Sequence, residues 1–187
     1  THIYGCKARI GGAICNEGSF HLSLCHIGAS VKPNTATSSG GAIYSYTTDS
    51  ALCTIMGTNI CYNEATTGGG ICIIRGKCTI GPENSTLTLI DHNMCSGSST
   101  TGGGLHIGNS GICTIIGGTK ISNNSSKNGG GICNGGTLEI EGSSSEKVEI
   151  FANSVTGTGM FGKGGGIYQV RGLLKTKHTE IKNNSAT

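Results

Sequence analysis

Carboxylates, the side chains that most often catalyse sugar hydrolysis, are scarce in this sequence and show no catalytic spacing. Such hydrolysis needs two carboxyl groups that converge on one bond. The two aspartates, Asp49 and Asp91, lie in different parts of the chain. Four glutamates cluster in one segment, where a solvated strand edge explains them equally well: Glu139, Glu141, Glu146 and Glu149. The sequence therefore predicts no catalytic residue and no enzyme.

Metal-binding side chains are present but scattered. Of the six histidines, His26, His92 and His106 fall at outward positions in different sheets of the fold predicted below, so we do not expect them to share a metal ion. The aspartate-rich glycine repeats of calcium-binding β-rolls are absent from the sequence. We predict neither a metal site nor a cofactor.

The ten cysteines are an even number, and no two of them have the C-x-x-C spacing that usually marks zinc or redox sites. Cysteine at this density is typical of oxidising compartments, where it forms disulfides. We therefore expect the chain to be extracellular or on a cell surface.

The composition argues against several other classes of protein. The chain has 187 residues, enough for one domain, and its 34 glycines lack the Gly-X-Y period of collagen. The net charge is only +3 and no long basic run occurs, so nucleic-acid binding is not expected. No uninterrupted apolar segment is long enough to predict a membrane-spanning helix.

An internal repeat organises the whole sequence. Its first motif is a glycine pair followed by a small and a hydrophobic residue, and its six copies end at Ile14, Ile43, Ile71, Leu105, Ile132 and Ile167. Its second motif is a hydrophobic residue with Asn three positions later. After a degenerate copy at Ile3, this motif begins at Val31, Ile60, Ile90, Ile121, Ile150 and Ile181. A third element, Cys-x-Ile, ends at Ile27, Ile55, Ile80 and Ile115, and Leu138 replaces its cysteine in the copy that ends at Ile140.

Each repeat thus holds three short alternating segments, and such alternation is typical of strands with one buried face. Three short strands bury little alone, so the repeats must stack. We predict an all-β fold, a right-handed parallel β-helix that forms a three-sheet solenoid of about six coils of 27–35 residues, with the hydrophobic residues named above pointing inward. The single domain, 1–187, divides into repeats of approximately 11–39, 40–67, 68–101, 102–128, 129–163 and 164–187, with 1–10 completing a preceding coil.

The glycines and asparagines of the motifs suit the corners of such coils. Both residue types accept positive φ at little cost. Stacked Asn side chains can also hydrogen-bond along the solenoid and satisfy backbone groups that the strands do not reach. We predict a structural Asn ladder of Asn34, Asn63, Asn93, Asn124, Asn153 and Asn184.

The two motifs, in alternation along nearly the whole chain, resemble the polymorphic outer membrane protein repeat of chlamydial surface proteins. The resemblance is clearest in Gly40-Gly41-Ala42-Ile43 and in the segment from Ile181 to Thr187. It implies a parallel β-helix at a cell surface or outside the cell, with adhesive roles in the family, and it carries over no catalytic residue.

Two kinds of covalent modification are predicted. Cys25, Cys53, Cys78 and Cys113 occupy one inward position on successive coils, so we expect at least one disulfide between neighbours, with Cys25–Cys53 and Cys78–Cys113 the most economical pairing and buried thiols the alternative. Cys15, Cys72 and Cys133 should face outward, towards other loops. Glycosylation sequons place candidate acceptors at Asn84, Asn123, Asn124 and Asn183. If Asn124 belongs to the Asn ladder, Asn123 is the better acceptor.

Three classes of function remain open. The leading hypothesis is an extracellular structural glycoprotein whose coils stack head to tail into a surface fibre or matrix. Its partners are then further copies of the chain, or neighbouring repeats of a longer chain, together with covalent glycans. The alternative is an adhesin segment that binds host receptors or glycans, for which Tyr44, Tyr168 and His106 share one outward register. A carbohydrate-active enzyme is less favoured. So is an ice-binding face, because His26 and Glu139 interrupt the outward row of Thr54, Thr79 and Thr114.

Overall fold

A computed structural model of the chain describes residues 1–48, 50–157 and 161–186, and all regular structure in these residues is β-strand. Asp49, one of the two aspartates considered above, lies outside the described residues. The strands, in chain order, are β1 (His2–Ile3), β2 (Lys7–Ile10), β3 (Ile14–Asn16), β4 (Phe20–Ser23), β5 (His26–Ile27), β6 (Thr35–Ser39), β7 (Ile43–Tyr46), β8 (Leu52–Met56), β9 (Asn59–Cys61), β10 (Glu64–Ala65), β11 (Ile71–Gly81), β12 (Thr88–Asp91), β13 (Met94–Cys95), β14 (Leu105–Ile116), β15 (Thr119–Ser122), β16 (Ser125–Ser126), β17 (Ile132–Asn134), β18 (Thr137–Glu141), β19 (Val148–Phe151), β20 (Ser154–Val155), β21 (Ile167–Gln169), β22 (Leu173–Lys177), β23 (Thr179–Lys182) and β24 (Ser185–Ala186).

The strands stack in parallel into three sheets, so the chain is a parallel β-helix, as predicted. Sheet A has the order β1-β5-β9-β12-β15-β19-β23. One isoleucine from each of its strands points into the core, and the strands pair in register at these residues: Ile3, Ile27, Ile60, Ile90, Ile121, Ile150 and Ile181. The five central members of this row are completely buried.

Sheet B, with the order β2-β6-β10-β13-β16-β20-β24, was not foreseen from the sequence. Its inward positions hold small residues, of which the best buried are Ala36, Ala65, Cys95, Ser126 and Val155. Small and polar residues give no hydrophobic alternation to detect, and several of these strands have only two residues. A search for apolar periodicity therefore does not detect sheet B.

Sheet C combines the first and third sequence elements, which had been assigned to separate sheets. Its ten strands form two rows that meet in the long strands β11 and β14, each of which passes through both rows. The register between these two strands shifts beyond Ile73, and both turn a corner there. The first row buries Ile71 and Leu105, and the second buries Ile80 and Ile115. The coils thus contribute strand segments to three sheets, and to both rows of sheet C.

The first coil departs from the sequence-based register. Val31 is 86% exposed and lies in a turn that the Lys32 N–H closes by donating to the Ala29 carbonyl. Ile27 takes its place in sheet A, where it pairs with Ile60. The match of Val31 to the hydrophobic-x-x-Asn motif was therefore accidental, because four extra residues separate Ile27 from Asn34 in comparison with the later coils.

The glycine motif forms the bend between sheets B and C. The first glycine of each copy has φ between 58° and 69°, a left-handed conformation that side chains other than Gly rarely adopt. The second glycine lies against the next coil: a Cβ at Gly41 would overlap the Gly69 carbonyl oxygen. The glycine pairs therefore permit both the turn and the close stacking of coils.

The six predicted asparagines form a continuous Asn ladder at the corner between sheets A and B. Each side-chain amide from Asn34 to Asn153 donates to the Oδ1 atom of the next Asn at 2.9–3.0 Å. The same amides donate to the isoleucine carbonyls of the preceding coil, as Asn93 does to Ile60 at 2.8 Å. Four central members, Asn63, Asn93, Asn124 and Asn153, are no more than 1% exposed. In the earliest coil Cys6 occupies the ladder position, and its backbone N–H donates to Asn34 Oδ1.

Candidate functional site

Three of the four predicted disulfide candidates lie together in the core. Cys53, Cys78 and Cys113, here called the thiol row, pair in register across β8, β11 and β14, and all three are buried. The Sγ atoms of Cys53 and Cys78 are 3.1 Å apart, and the cysteines are thiols in this structure. Burial raises the pKa of Cys113 far above its ordinary value.

Cys25, the fourth candidate, is not in the thiol row. It precedes β5 in sheet A, and the position opposite Cys53 belongs to Phe20. The predicted Cys25–Cys53 pairing is therefore wrong in register. The error has the same origin as that at Val31: Phe20-His21-Leu22, which lacks a cysteine, is the true third element of the first coil, and His21 rather than His26 adjoins the threonine row at Thr54.

The glycosylation candidates differ in how accessible their amides are. Asn84 and Asn183 are exposed in left-handed turn conformations, with φ of 54° and 53°. Asn124 is completely buried in the Asn ladder, where its amide donates to Asn153. Asn123 is exposed, and its amide donates to Asp91 Oδ1 at 2.9 Å. The accessible acceptors are thus Asn84, Asn183 and, once its bond to Asp91 opens, Asn123.

A polar cluster surrounds the second aspartate at the outer side of the Asn ladder. Asp91 Oδ1 accepts hydrogen bonds from Ser122 and Asn123 of the next coil, and Oδ2 lies 2.5 Å from His92 Nδ1. Burial acts to raise the pKa of Asp91, but these hydrogen bonds outweigh it, so that pKa lies below its ordinary value. The Tyr62 ring stacks on His92 with 4.9 Å between ring centroids.

This cluster ties neighbouring coils together and lines a shallow groove of about 310 Å³ with Glu64 and Met94. The αL conformations of Tyr62 and His92 recur at Asn123, Ala152 and Asn183 in later coils, so they belong to the corner of the β-helix. Asp91 is committed to three donors. The arrangement is therefore suited to holding coils in register.

A second row of interest runs along the outer face of the first row of sheet C. Cys15, Tyr44, Cys72, His106, Cys133 and Tyr168 follow one another on successive strands. Cys15 is exposed, whereas Cys72 and Cys133, on the same outer face, are covered by neighbouring residues and are at most 1% exposed. The neighbouring turns cover them: Ser39 hydrogen-bonds with Cys72, and Thr101 with Cys133.

His106 lies between these two cysteines under the same cover. Its Nδ1 atom is 3.1 Å from the Thr101 hydroxyl. Burial lowers the pKa of His106 to about 4, because the charged imidazolium would lose its hydration. The row therefore separates Tyr44 and Tyr168 with covered side chains and does not form the continuous aromatic surface that an adhesin would present.

A large open groove lies where sheet C turns its corner. This bend groove has a volume of about 490 Å³ and spans four coils, with the following lining: Tyr46, Ile74, Arg75, Asn109, Ser110, Gly111, Ile112 and Thr137. Tyr46 is 47% exposed and Ile112 is 37% exposed. An aromatic ring, a guanidinium group, an amide and hydroxyls around one trough can bind a polar ligand that also has apolar faces.

The bend groove was not predicted from the sequence. Its members come from four repeats and from positions between the motifs, where the repeats differ most. The register shift between Ile73 and Arg75 is what brings Tyr46 beside Arg75. A signal was available only in the unusual length of the strand region from Ile71 to Gly81, which no gap of turn residues interrupts.

The last two coils carry most of the paired charges. Lys175 pairs with Glu139 at 2.9 Å on the outer face of sheet C. On sheet A, Glu149 binds both Lys120 and Lys182, and Glu180 binds Lys182 and Lys147. Two members of the glutamate cluster noted in the sequence, Glu139 and Glu149, thus form ion pairs between coils, and they lie on different sheets.

Neither a metal site nor a membrane-spanning helix is found in the described residues. Across 1–48, 50–157 and 161–186, no three His, Cys, Asp or Glu side chains are grouped so that they could hold a metal ion. The same residues contain no helix with the length and hydropathy needed to cross a membrane.

Comparison with protein-family models, with curated proteins and with solved structures finds no match to this chain. The resemblance of its motifs to the chlamydial surface repeat stays a prediction.

Proposed function

We propose that this chain is an extracellular structural protein whose coils stack head to tail to build a surface fibre or matrix. The observation that carries the proposal is that the coils stack in parallel and in register, so that a further coil, from another copy of the chain or from neighbouring repeats of a longer chain, would extend all three sheets. Within the described residues, β1 to β4 have a neighbour on one side only, and so do β21 to β24. Unpaired edges of this kind bind further strands readily.

The two ends match in position. Ile3 and Ile181 are the first and last members of one row in sheet A, and Ile181 is 51% exposed. The other end also leaves Phe20 and Leu22 only partly buried. A further coil stacked on either end would continue the hydrogen bonds of the sheet and bury these apolar side chains. The contact is heterologous, so it generates a filament rather than a closed ring.

The Asn ladder makes the proposed junction weaker than an internal coil boundary. At the C-terminal end of the solenoid, the Asn184 amide donates one hydrogen bond to the Ile150 carbonyl. Its second N–H could donate to an acceptor on a further coil. At the N-terminal end the ladder position is occupied by Cys6, whose side chain has no amide oxygen to accept that bond. A head-to-tail contact would therefore continue all three sheets but leave the ladder open at one step.

The test is sedimentation velocity of the full chain over a range of concentrations. We expect species that grow with concentration, and we expect Ile181→Lys to abolish the growth because it places a charge in the junction. Ile112→Lys is the matched control, since Ile112 is exposed on the side of the solenoid. Cys6→Asn should strengthen association by supplying the missing acceptor. A monomer at all concentrations, or equal effects of the two lysine variants, would contradict the proposal.

A second candidate is a glycan-binding adhesin, which the bend groove favours. Successive coils rise by about 4.8 Å, similar to the length of one sugar unit, so a groove across four coils fits a short oligosaccharide that stacks on Tyr46. Binding to a panel of immobilised glycans should be lost in Tyr46→Ala and kept in Tyr4→Ala, whose ring is 49% exposed elsewhere. A chain that binds no glycan on the panel would argue against this function.

A further inference from the structure

The thiol row holds three cysteines, and only two of them can share one bond. Cys53, Cys78 and Cys113 occupy the same inward position on consecutive coils, where neighbouring Cα atoms are in register. Adjacent strands are separated by about 4.8 Å, within the span that a disulfide bridges. Cys78 lies between the other two, so it can form a disulfide with either Cys53 or Cys113 but not with both.

The side-chain geometry favours one choice. The Sγ atoms of Cys53 and Cys78 lie 3.1 Å apart, close enough to join after a small rotation of each side chain. The fourth predicted member, Cys25, precedes β5, and Phe20 lies opposite Cys53, so Cys25 is not placed to bond with Cys53. Both cysteines belong to the buried hydrophobic core, so a disulfide there would replace two poorly bonded thiols without exposing polar groups.

We propose that Cys53 and Cys78 form a structural disulfide between the second and third coils, and that Cys113 keeps its thiol. The bond links residues 25 positions apart and closes the loop that contains β9 and β10. It joins β8 to β11 within the second row of sheet C. The proposal stands independently of the function proposed above, because it concerns the core of a single chain.

The chemistry is thiol–disulfide exchange with a small-molecule disulfide such as oxidised glutathione. The Cys78 thiolate attacks the reagent, which forms a mixed disulfide and releases one thiolate. The Cys53 thiolate then attacks the Cys78 sulfur, which forms the protein disulfide and releases the second. The two cysteines lose two protons and two electrons, and the reagent is reduced to two thiols.

The burial of these thiols determines the stage of folding at which they can be oxidised. In the folded chain Cys53 and Cys78 are each 2% exposed. Their mutual contact and their burial raise the pKa of Cys78 well above its ordinary value, so few thiolates exist there at neutral pH. Oxidation therefore belongs to folding, before the third coil closes over the second. Once formed, the bond is inaccessible to mild reductants.

The direct test is a disulfide map of the full chain refolded in a mixture of oxidised and reduced glutathione. After alkylation of remaining thiols in denaturant, trypsin with a glutamate-specific protease cuts at Glu83, which separates Cys78 from Cys113, and at Glu64, which separates Cys61 from Cys72. Tandem fragmentation then distinguishes Cys53 from Cys25 and Cys61, which share its peptide because trypsin does not cut between Lys32 and Pro33. We expect a Cys53–Cys78 link and an alkylated Cys113. A Cys78–Cys113 link, or alkylation of all three, overturns the proposal.

Two matched variants provide a second readout. Cys53→Ala and Cys113→Ala remove the same group from equivalent buried positions, so their packing costs should be similar. In the wild type and in Cys113→Ala, reduction in denaturant before refolding without oxidant should lower the Tm by several degrees relative to the oxidised form. In Cys53→Ala the oxidised and reduced preparations should melt together. Identical redox sensitivity of the two variants would show that Cys53 is not the partner.

Discussion

The Asn ladder and the thiol row both run through the middle coils, but they obey different rules. Each amide of the Asn ladder from Asn34 to Asn153 donates to the coil before it and to the coil after it, so the hydrogen bonds of each member depend on both neighbours. The thiol row continues into Phe20 at one end and Leu138 and Leu174 at the other. A polar row thus requires one residue type, whereas an apolar row requires only a suitable volume.

The largest loss of stability is expected when a charged side chain is placed in the apolar core beside the thiol row. Ile115→Asp, two residues after Cys113, should unfold the chain at room temperature, because an unpaired buried carboxylate costs more than about 4 kcal/mol. Ile115 is completely buried, and Thr114 beside it points outward. Thr114→Asp should therefore change the free energy of unfolding by less than about 1 kcal/mol. Urea unfolding followed by circular dichroism measures both, and similar effects would mean that the strand register is wrong by one residue.

Removing one member of the Asn ladder should cost nearly as much. Asn93→Ala deletes the acceptor for both the Asn63 backbone N–H and its amide, and leaves the Ile60 carbonyl without its side-chain donor. At about 1–3 kcal/mol for each unsatisfied buried group, we expect a loss of at least about 3 kcal/mol. Asn123→Ala, which breaks a single bond at the surface, is the control and should cost less than about 1 kcal/mol. Equal denaturation midpoints for the two variants would contradict this account.

His106 is intermediate between the two rows, because it is a polar side chain that neighbouring residues cover. Within the described residues, its side chain has one hydrogen-bond partner, Thr101. Its pKa is lowered to about 4 in the folded chain, against about 6.5 when unfolded. Between these values the unfolded chain binds more protons, so the free energy of unfolding falls as the pH drops from about 6.5 to about 4. The total loss is up to about 3 kcal/mol.

The measurement is the urea midpoint at several pH values, compared between the wild type and His106→Gln. The glutamine variant keeps a hydrogen-bonding group but cannot take a proton, so its stability should be flatter over this range. The lowered pKa of Asp91 acts at more acidic pH, because a carboxylate with a depressed pKa loses its stabilisation only as the pH falls below its unfolded value. If the two slopes are identical, the burial of His106 does not control acid stability.

The sequence predicted the parts of this fold that repeat and missed the parts that do not. Rows with a large hydrophobic residue on every coil, such as that of Ile60 and Ile90, were placed correctly from Ile60 onward, because alternation and spacing agree there. Sheet B was missed since its inward residues are small. The first coil was misplaced since Val31 copied the motif by accident, and only three-dimensional register distinguishes it from Ile27. The bend groove depends on a register shift that no residue pattern encodes.

The smallest effect should come from changing the size of a residue in the thiol row. Cys113→Leu places there the side chain that already occupies the next coil at Leu138. The site is apolar and completely buried, so the larger side chain gains hydrophobic burial but crowds its neighbours. We expect these to offset within about 1.5 kcal/mol, and native spectra to be kept. Asn124→Leu, a change to the same residue in the Asn ladder, should cost about 3 kcal/mol or more, because it breaks the bonds to Asn93 and Asn153. If leucine were tolerated equally well at both positions, hydrogen bonding along the ladder would contribute no more to stability than packing in the thiol row does.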